Sequence, residues 1–246
     1  MQKTEKIYGI RAVIEAINSD KAIDKVYLQK GSRGDLYKEL EILTRKKGIN
    51  TVYVPVEKLN RSTKGNHQGV IAHISPISFF ELEELVERVI ATKEQPLFLL
   101  LDQISDVRNF GAIIRTAECT GVDGIIIPKK GAAPVTSDTI KTSAGAAFKV
   151  PIARVNHIKD AIFYLQASGI KVVAATEKTE KSIYEVSFKK PCSLVMGSEG
   201  LGISPSTLKA VDEKAKLPMM GEIGSLNVSV ACGVFLYEVL RQRSLS

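Results

Sequence analysis

Residues 97–121 read LFLLLDQISDVRNFGAIIRTAECTG, and the first six decide the fold class. Leu97 to Leu101 are apolar without alternation, the pattern of a strand buried on both faces of a parallel sheet. A half-exposed antiparallel strand would alternate with period two. Helical apolar spacing follows, and the alternation then repeats to the end of the chain. Strands are expected at 124–128, 149–155, 171–176, 192–196 and 215–218, with helices between them and a long last helix over 226–242. This order implies an α/β domain built on a mostly parallel sheet, whose ligands sit beyond the carboxyl ends of the strands.

Upstream of Pro96 the pattern is shorter. Helices at 9–18 and 36–48, a short helical turn at 56–60 and strands at 25–29, 51–55 and 70–75 make a small α/β unit over residues 1–75. Residues 76–95 contain FFELEELVERVIATKEQ, helical in period and acidic on one face, and read as a linking helix stopped by Pro96. Residues 96–246 form the second domain. Lys and Arg outnumber Asp and Glu by 14 to 8 in 1–75 and by 18 to 14 in 96–246, but stand at 2 to 5 in the link. The small unit is therefore the more basic for its size. That distribution, with the net charge of +7, permits a polyanionic partner.

No apolar run approaches the roughly 20 residues of a membrane span, and the first residues lack a signal peptide's apolar core. A cytoplasmic protein is expected. Cys119, Cys192 and Cys232 are widely separated and read as buried, reduced thiols; with His67, His73 and His157 they show no metal-ligand spacing.

Three clusters carry the chemistry. In Asp106–Gly121, Asn109 has the type of a helix N-cap, and Arg115 interrupts a helix otherwise small or apolar at Gly111, Ala112, Ile113, Ile114 and Ala117. Arg115 either snorkels to solvent or meets a ligand. In LVMGSEGLGIS, residues 194–204, an apolar strand enters a loop with Gly197, Gly200 and Gly202, where backbone can approach a ligand. The spacing is GxxGxG and does not follow the first strand, which argues against a nucleotide-dependent dehydrogenase. In LPMMGEIGSLNVSVACGVFLYEVLRQR, residues 217–243, Ser225 is a candidate cap for a nearly all-apolar helix. Asn227 and Ser229 place polar groups inside that stretch, so they need partners, either local backbone or a ligand.

Together and in this order, the clusters resemble the three motifs of the SpoU/TrmH branch of the SPOUT superfamily of RNA ribose methyltransferases. The residues concerned are Asn109-x-Gly111-Ala112 with Arg115-Thr116-Ala117, Gly197-Ser198-Glu199-Gly200 with Gly202, and Pro218-Met219 with Ser225-Leu226-Asn227-Val228-Ser229-Val230-Ala231. Ile7-Tyr8-Gly9 and His67-Gln68-Gly69 are similar to the small RNA-binding domain of the branch that modifies large-subunit ribosomal RNA. Val107 departs from a frequent proline. The resemblance implies a C-terminal trefoil-knot domain, a homodimer, S-adenosylmethionine as cofactor and a ribose 2′-hydroxyl of RNA as methyl acceptor, in this branch a 23S ribosomal RNA guanosine. It implies Asn109, Arg115, Glu199, Ser225 and Asn227 as catalytic candidates, and Thr176, Gly197, Leu217, Met219 and Leu226 as cofactor-binding positions acting largely through backbone. Arg115 fits a phosphate clamp better than a base, because guanidinium is always protonated. Arg11, Arg33, Arg61, Lys64, Arg108, Arg241 and Arg243 are the RNA-contact candidates, the last two also suiting a helix C-terminus. A transfer RNA ribose methyltransferase and a catalytically inactive RNA-binding paralogue are the alternatives.

Overall fold

A computed structural model describes residues 6–19, 21–222 and 224–244. The chain divides into two units, a smaller one up to Ser78 joined by Pro134–Ser137 and a larger one made of Phe79–Ala133 and Asp138–Ser246.

The smaller unit is a four-stranded sheet of β1 (Lys6–Tyr8), β2 (Ile23–Gln29), β3 (Thr51–Val54) and β4 (Val70–Ile74) in the order β1-β4-β2-β3. β4 runs antiparallel to both neighbours and β2 runs parallel to β3. Helices α1 (Ile10–Asn18) and α2 (Asp35–Lys46) close one face through Val13, Ile14, Ile17 and Leu40 packed on Val26, Leu28, Val70 and Ala72. On the opposite face, Leu59 of α3 (Val56–Ser62) packs on Val54 and Ile71. Strand β1 is an element the sequence pattern does not announce, since three residues are too few to display a period of two.

The larger unit is a six-stranded sheet, parallel throughout, in the order β10-β8-β9-β5-β6-β7. Its strands are β5 (Leu97–Asp102), β6 (Gly124–Pro128), β7 (Ile152–Val155), β8 (Lys171–Ala175), β9 (Cys192–Gly197) and β10 (Glu213–Ala215). All six residues of β5 are buried, as an unalternating run requires. Phe98 and Leu100 face a core built with α4 (Leu82–Ile90), α7 (Ile158–Ala167) and α8 (Pro205–Ala210). Helices α5 (Val107–Cys119) and α9 (Val228–Ser244) pack along one another, α9 also packs on β9, and the short α6 (Ser137–Thr142) lies in the connection from β6 to β7.

The segment read as a linking helix is α4. Its Leu82, Leu85, Val86 and Val89 are buried in the larger core, so it is an integral part of that unit. Two strand limits also move. A 3-10 turn at Ala146–Phe148 precedes β7, so 149–151 are not strand; β10 ends at Ala215, and 217–222 leave the sheet. The three cysteines are free, but Cys119 is exposed rather than buried. Burial pushes the Cys232 thiol up to about 12. No helix among the described residues is long and apolar enough to cross a membrane.

Candidate active site

The chain leaves β5 toward β6 and β7 on one side and returns through β8 and β9 on the other, so the connection order reverses between β5 and β9. Ligands of parallel α/β sheets bind at such a reversal, beyond the strand ends. Here Asp102, last in β5, pairs in register with Gly197, last in β9. Asp102 is buried, and its carboxylate accepts the Ser204 N–H at 2.9 Å, which ties the loop after β9 to the end of β5. That loop folds back on itself through Ser198 and Gly202, whose backbones exchange bonds of 3.2 and 2.9 Å. Only glycine fits at 197, because a Cβ there would lie 2.2 Å from the Gly202 carbonyl carbon and 2.3 Å from the Ile203 nitrogen.

Two helices begin at this point. Asp106, not Asn109, caps α5; its carboxylate accepts the Asn109 N–H at 2.8 Å. Asn109 therefore stands inside the first turn with its side chain free to reach outward. Asn227, not Ser225, caps α9. Its Oδ1 accepts the Ser229 N–H at 2.9 Å, the Ser229 hydroxyl at 2.6 Å and the Val230 N–H at 3.4 Å. Its Nδ2 donates to Asn109 Oδ1 at 3.0 Å and to Glu199 Oε1. One amide thus caps a helix and joins three segments that lie 28 and 118 residues apart in sequence. Local backbone bonds and long-range partners, alternatives in the sequence, are both present.

Two cavities share a wall that includes Glu199, the carboxylate this amide holds. The larger, about 760 Å³, is lined by Thr176, Gly197, Leu217, Met219 and Leu226, all five cofactor candidates, and by Ser225. Thr176 is buried in its wall, while Met219 and Leu226 remain exposed at its edge. Apolar side chains left uncovered around a backbone-lined cleft suit the adenosine part of a cofactor. The smaller, about 410 Å³, is lined by Gln103, Ile104, Ser105, Asp106, Asn109 and Gly131. Ser198, Glu199, Gly200, Leu201 and Val228 line both. The second cavity's Gln103, Ser105 and Asp106 were not singled out in the sequence; their only signal there is their place just after a strand end.

Arg115 lies apart from this cluster. Six residues beyond Asn109 is one and two-thirds turns, which turns Arg115 away from it, and neither cavity includes it. It is exposed, on one stripe with Arg108 and Cys119, and has no hydrogen bond or ion pair among the described residues. The α9 arginines differ. Arg241 pairs with the buried Glu238 through Nε at 2.7 Å and Nη2 at 2.8 Å. Arg243 donates to the carbonyls of Phe188 (3.0 Å), Gln95 (2.7 Å), Pro96 (3.3 Å) and Lys190 (3.1 Å), and to Cys192 Sγ (3.3 Å). Both expected RNA contacts are committed to the protein itself, and Arg243 is a structural staple. In the smaller unit Arg11, Arg33, Arg61 and Lys64 are exposed, with no ion pair among the described residues. No group of three or more metal-ligating side chains occurs among the described residues.

A parallel α/β unit with paired cavities at its topological reversal, sharing a glutamate that a capping asparagine holds, defines a class of ligand-binding enzyme domain. The SpoU rRNA methylase family matches residues 96–237, and the RNA 2′-O ribose methyltransferase substrate-binding family matches residues 6–80. The chain belongs to the SpoU rRNA methylase family. It is 36% identical over 244 residues to the putative TrmH family tRNA/rRNA methyltransferase YacO of Bacillus subtilis, covering 99% of this chain and 98% of that one. It is 37% identical over 249 residues to the 23S rRNA (guanosine-2′-O-)-methyltransferase RlmB of Pseudomonas aeruginosa, covering 99% of each. Among solved structures, the AdoMet-bound rRNA methyltransferase of Sinorhizobium meliloti is similar with a TM-score of 0.62 and 27% identity, over 96% of this chain and 86% of that one.

Proposed function

We propose that this protein transfers a methyl group from S-adenosylmethionine to a ribose 2′-hydroxyl of RNA, at a guanosine of 23S ribosomal RNA. The observation that carries the reading is that the two cavities share Glu199, which Asn227 ties to Asn109 of the smaller one. S-adenosylmethionine supplies a sulfonium methyl, and Thr176, Gly197, Leu217, Met219 and Leu226 would hold it in the larger cavity. The smaller cavity takes the acceptor nucleotide. Glu199 is the carboxylate common to both, which puts a proton acceptor where the hydroxyl meets the methyl donor. Asn227 fixes that carboxylate and Asn109 in one geometry, so the alignment is set before RNA arrives.

Arg115 and Arg108 are the free cations of α5 and suit phosphate contacts. Because Arg115 faces away from both cavities of its own chain, its part in transfer is played in the site of a second copy. The exposed α9 side chains Val230 (52%), Val234 (39%) and Tyr237 (55%) form an apolar stripe suited to that homodimer. Arg11, Arg33, Arg61 and Lys64 of the smaller unit, exposed and without an ion pair among the described residues, grip structured RNA. The similarity to RlmB of Pseudomonas aeruginosa over nearly the full length of both chains supports ribosomal RNA as the substrate.

Mapping ribose methylation in a strain that lacks this gene tests the proposal. One 23S guanosine should lose its 2′-O-methyl group and regain it on complementation with the wild-type gene but not with Glu199→Gln. Loss from transfer RNA instead would favour the other RNA class, and no lost ribose methyl at all would overturn the activity.

A further inference from the structure

The smaller cavity has one wall that the reading above leaves without a role. Gln103 follows β5 directly and has φ 62°, a left-handed conformation that glycine adopts without cost and glutamine does not. The strain is imposed from both sides. The preceding Asp102 is held by Ser204 N–H at 2.9 Å, and the following Ile104 carbonyl accepts the Ala133 N–H at 2.7 Å. The side chain lies across Gly131, where an added Cβ would come within 3.9 Å of Gln103 Cγ. Gln103 is exposed and lines the cavity, and its carboxamide has no hydrogen-bond partner among the described residues. A strained backbone thus presents a free donor–acceptor pair to the cavity that opens on Asn109 and Glu199.

Resting on the ribose-methylation reading, we infer that Gln103 is a specificity-determining residue that reads the base of the target nucleotide. A nucleotide whose 2′-hydroxyl reaches Glu199 must leave its stack, and its base then needs a partner for its unpaired edge. Guanine presents an acceptor, O6, beside a donor, N1–H. A carboxamide supplies the complementary donor and acceptor in one plane. At about 410 Å³ the cavity is of the size that holds a single small ligand. Ser105 and Asp106 line the same cavity.

Gln103→Gly separates this role from a structural one, because glycine removes the side chain and also relieves the strain. The variant should melt no lower than wild type and bind S-adenosylmethionine with unchanged affinity. Its kcat/KM on a pool of unmodified 23S and transfer RNA transcripts should fall about 10- to 100-fold, the discrimination a two-bond base contact provides. Mapping of the product should show methylation spreading to bases other than the wild-type target. Wild-type kcat/KM with unchanged selectivity would overturn the inference. If the wild-type protein methylates neither RNA, the reading of the site has failed, and a direct probe still decides on Gln103. With S-adenosylhomocysteine present, titration with guanosine 5′-monophosphate should shift the Gln103 side-chain amide resonance; an unmoved resonance would overturn the assignment.

Discussion

Helices α5 and α9 lie against one another, begin at the same junction and carry two of the candidate arginines each, yet the two pairs have opposite fates. Arg108 and Arg115 of α5 stand on an exposed stripe with no partner among the described residues. Arg241 and Arg243 of α9 are bound, one to a buried carboxylate and one to four carbonyls and a sulfur. A guanidinium that already satisfies its donors within the fold holds the fold. One left unpaired near a binding site is available to a ligand or to a second chain. Residue type and position on a helix do not separate these cases; the partner list does.

The sharpest way to break the comparison is to remove one arginine from each helix. Arg115→Ala should leave unfolding and S-adenosylmethionine affinity unchanged while lowering methyl transfer on the order of 100-fold or more, the cost of misplacing a reacting group. Arg115→Lys should be impaired as well, since it keeps the charge but not the planar fork. Single-turnover rates at saturating RNA measure both, and near-wild-type turnover in the alanine variant would make Arg115 a surface residue. Arg243→Ala should do the reverse. Losing the charged donor to four carbonyls should cost about 3 kcal/mol in denaturant unfolding, while folded enzyme keeps its rate. A rate loss in Arg243→Ala without loss of stability would return that arginine to the RNA contacts.

The parallel sheet was legible because its strands are apolar without alternation, and five of its six strands lie where the sequence places them to within a few residues. β10 spans Glu213–Ala215 rather than the expected 215–218, and Leu217 and Pro218 of that expected strand instead line the larger cavity. Asn109, Glu199 and Asn227 were legible as types but not in their roles at the helix ends. Asp106 and Asn227 are both favoured cap residues, and the sequence offered Asn109 and Ser225 as equally good candidates a few positions away. What one chain's local pattern could not contain is direction: that Arg115 points away from Asn109, or that Arg243 reaches back to Gln95 across 148 residues.

The same two helices give a last, smaller contrast through their glycines. Gly111 of α5 and Gly233 of α9 both occupy helix interiors among small residues, and each would be a fair target for a stabilising alanine by propensity alone. Their surroundings differ. A Cβ at 111 would lie 1.9 Å from Thr142 Oγ1, 2.6 Å from Thr142 Cβ and 3.1 Å from the Ser143 nitrogen. Thr142 cannot simply rotate away without loss, since its hydroxyl donates to the Asp138 carbonyl at 2.8 Å and its own Cβ is also too close. Gly111→Ala should therefore destabilise by about 1–3 kcal/mol, as overpacking does. A Cβ at 233 would meet only Thr116 Cγ2 at 3.7 Å, an ordinary contact that adds packing between the helices. Gly233→Ala should stabilise by about 0.5–1 kcal/mol through the lower entropy of the unfolded chain. Urea midpoints at unchanged slope measure both, because a slope change would report on compactness rather than stability. If Gly233→Ala instead unfolds more easily, the contact of α9 with Thr116 of α5 has no more room for a methyl group than Gly111 has against Thr142, and the contrast between the two glycines is lost.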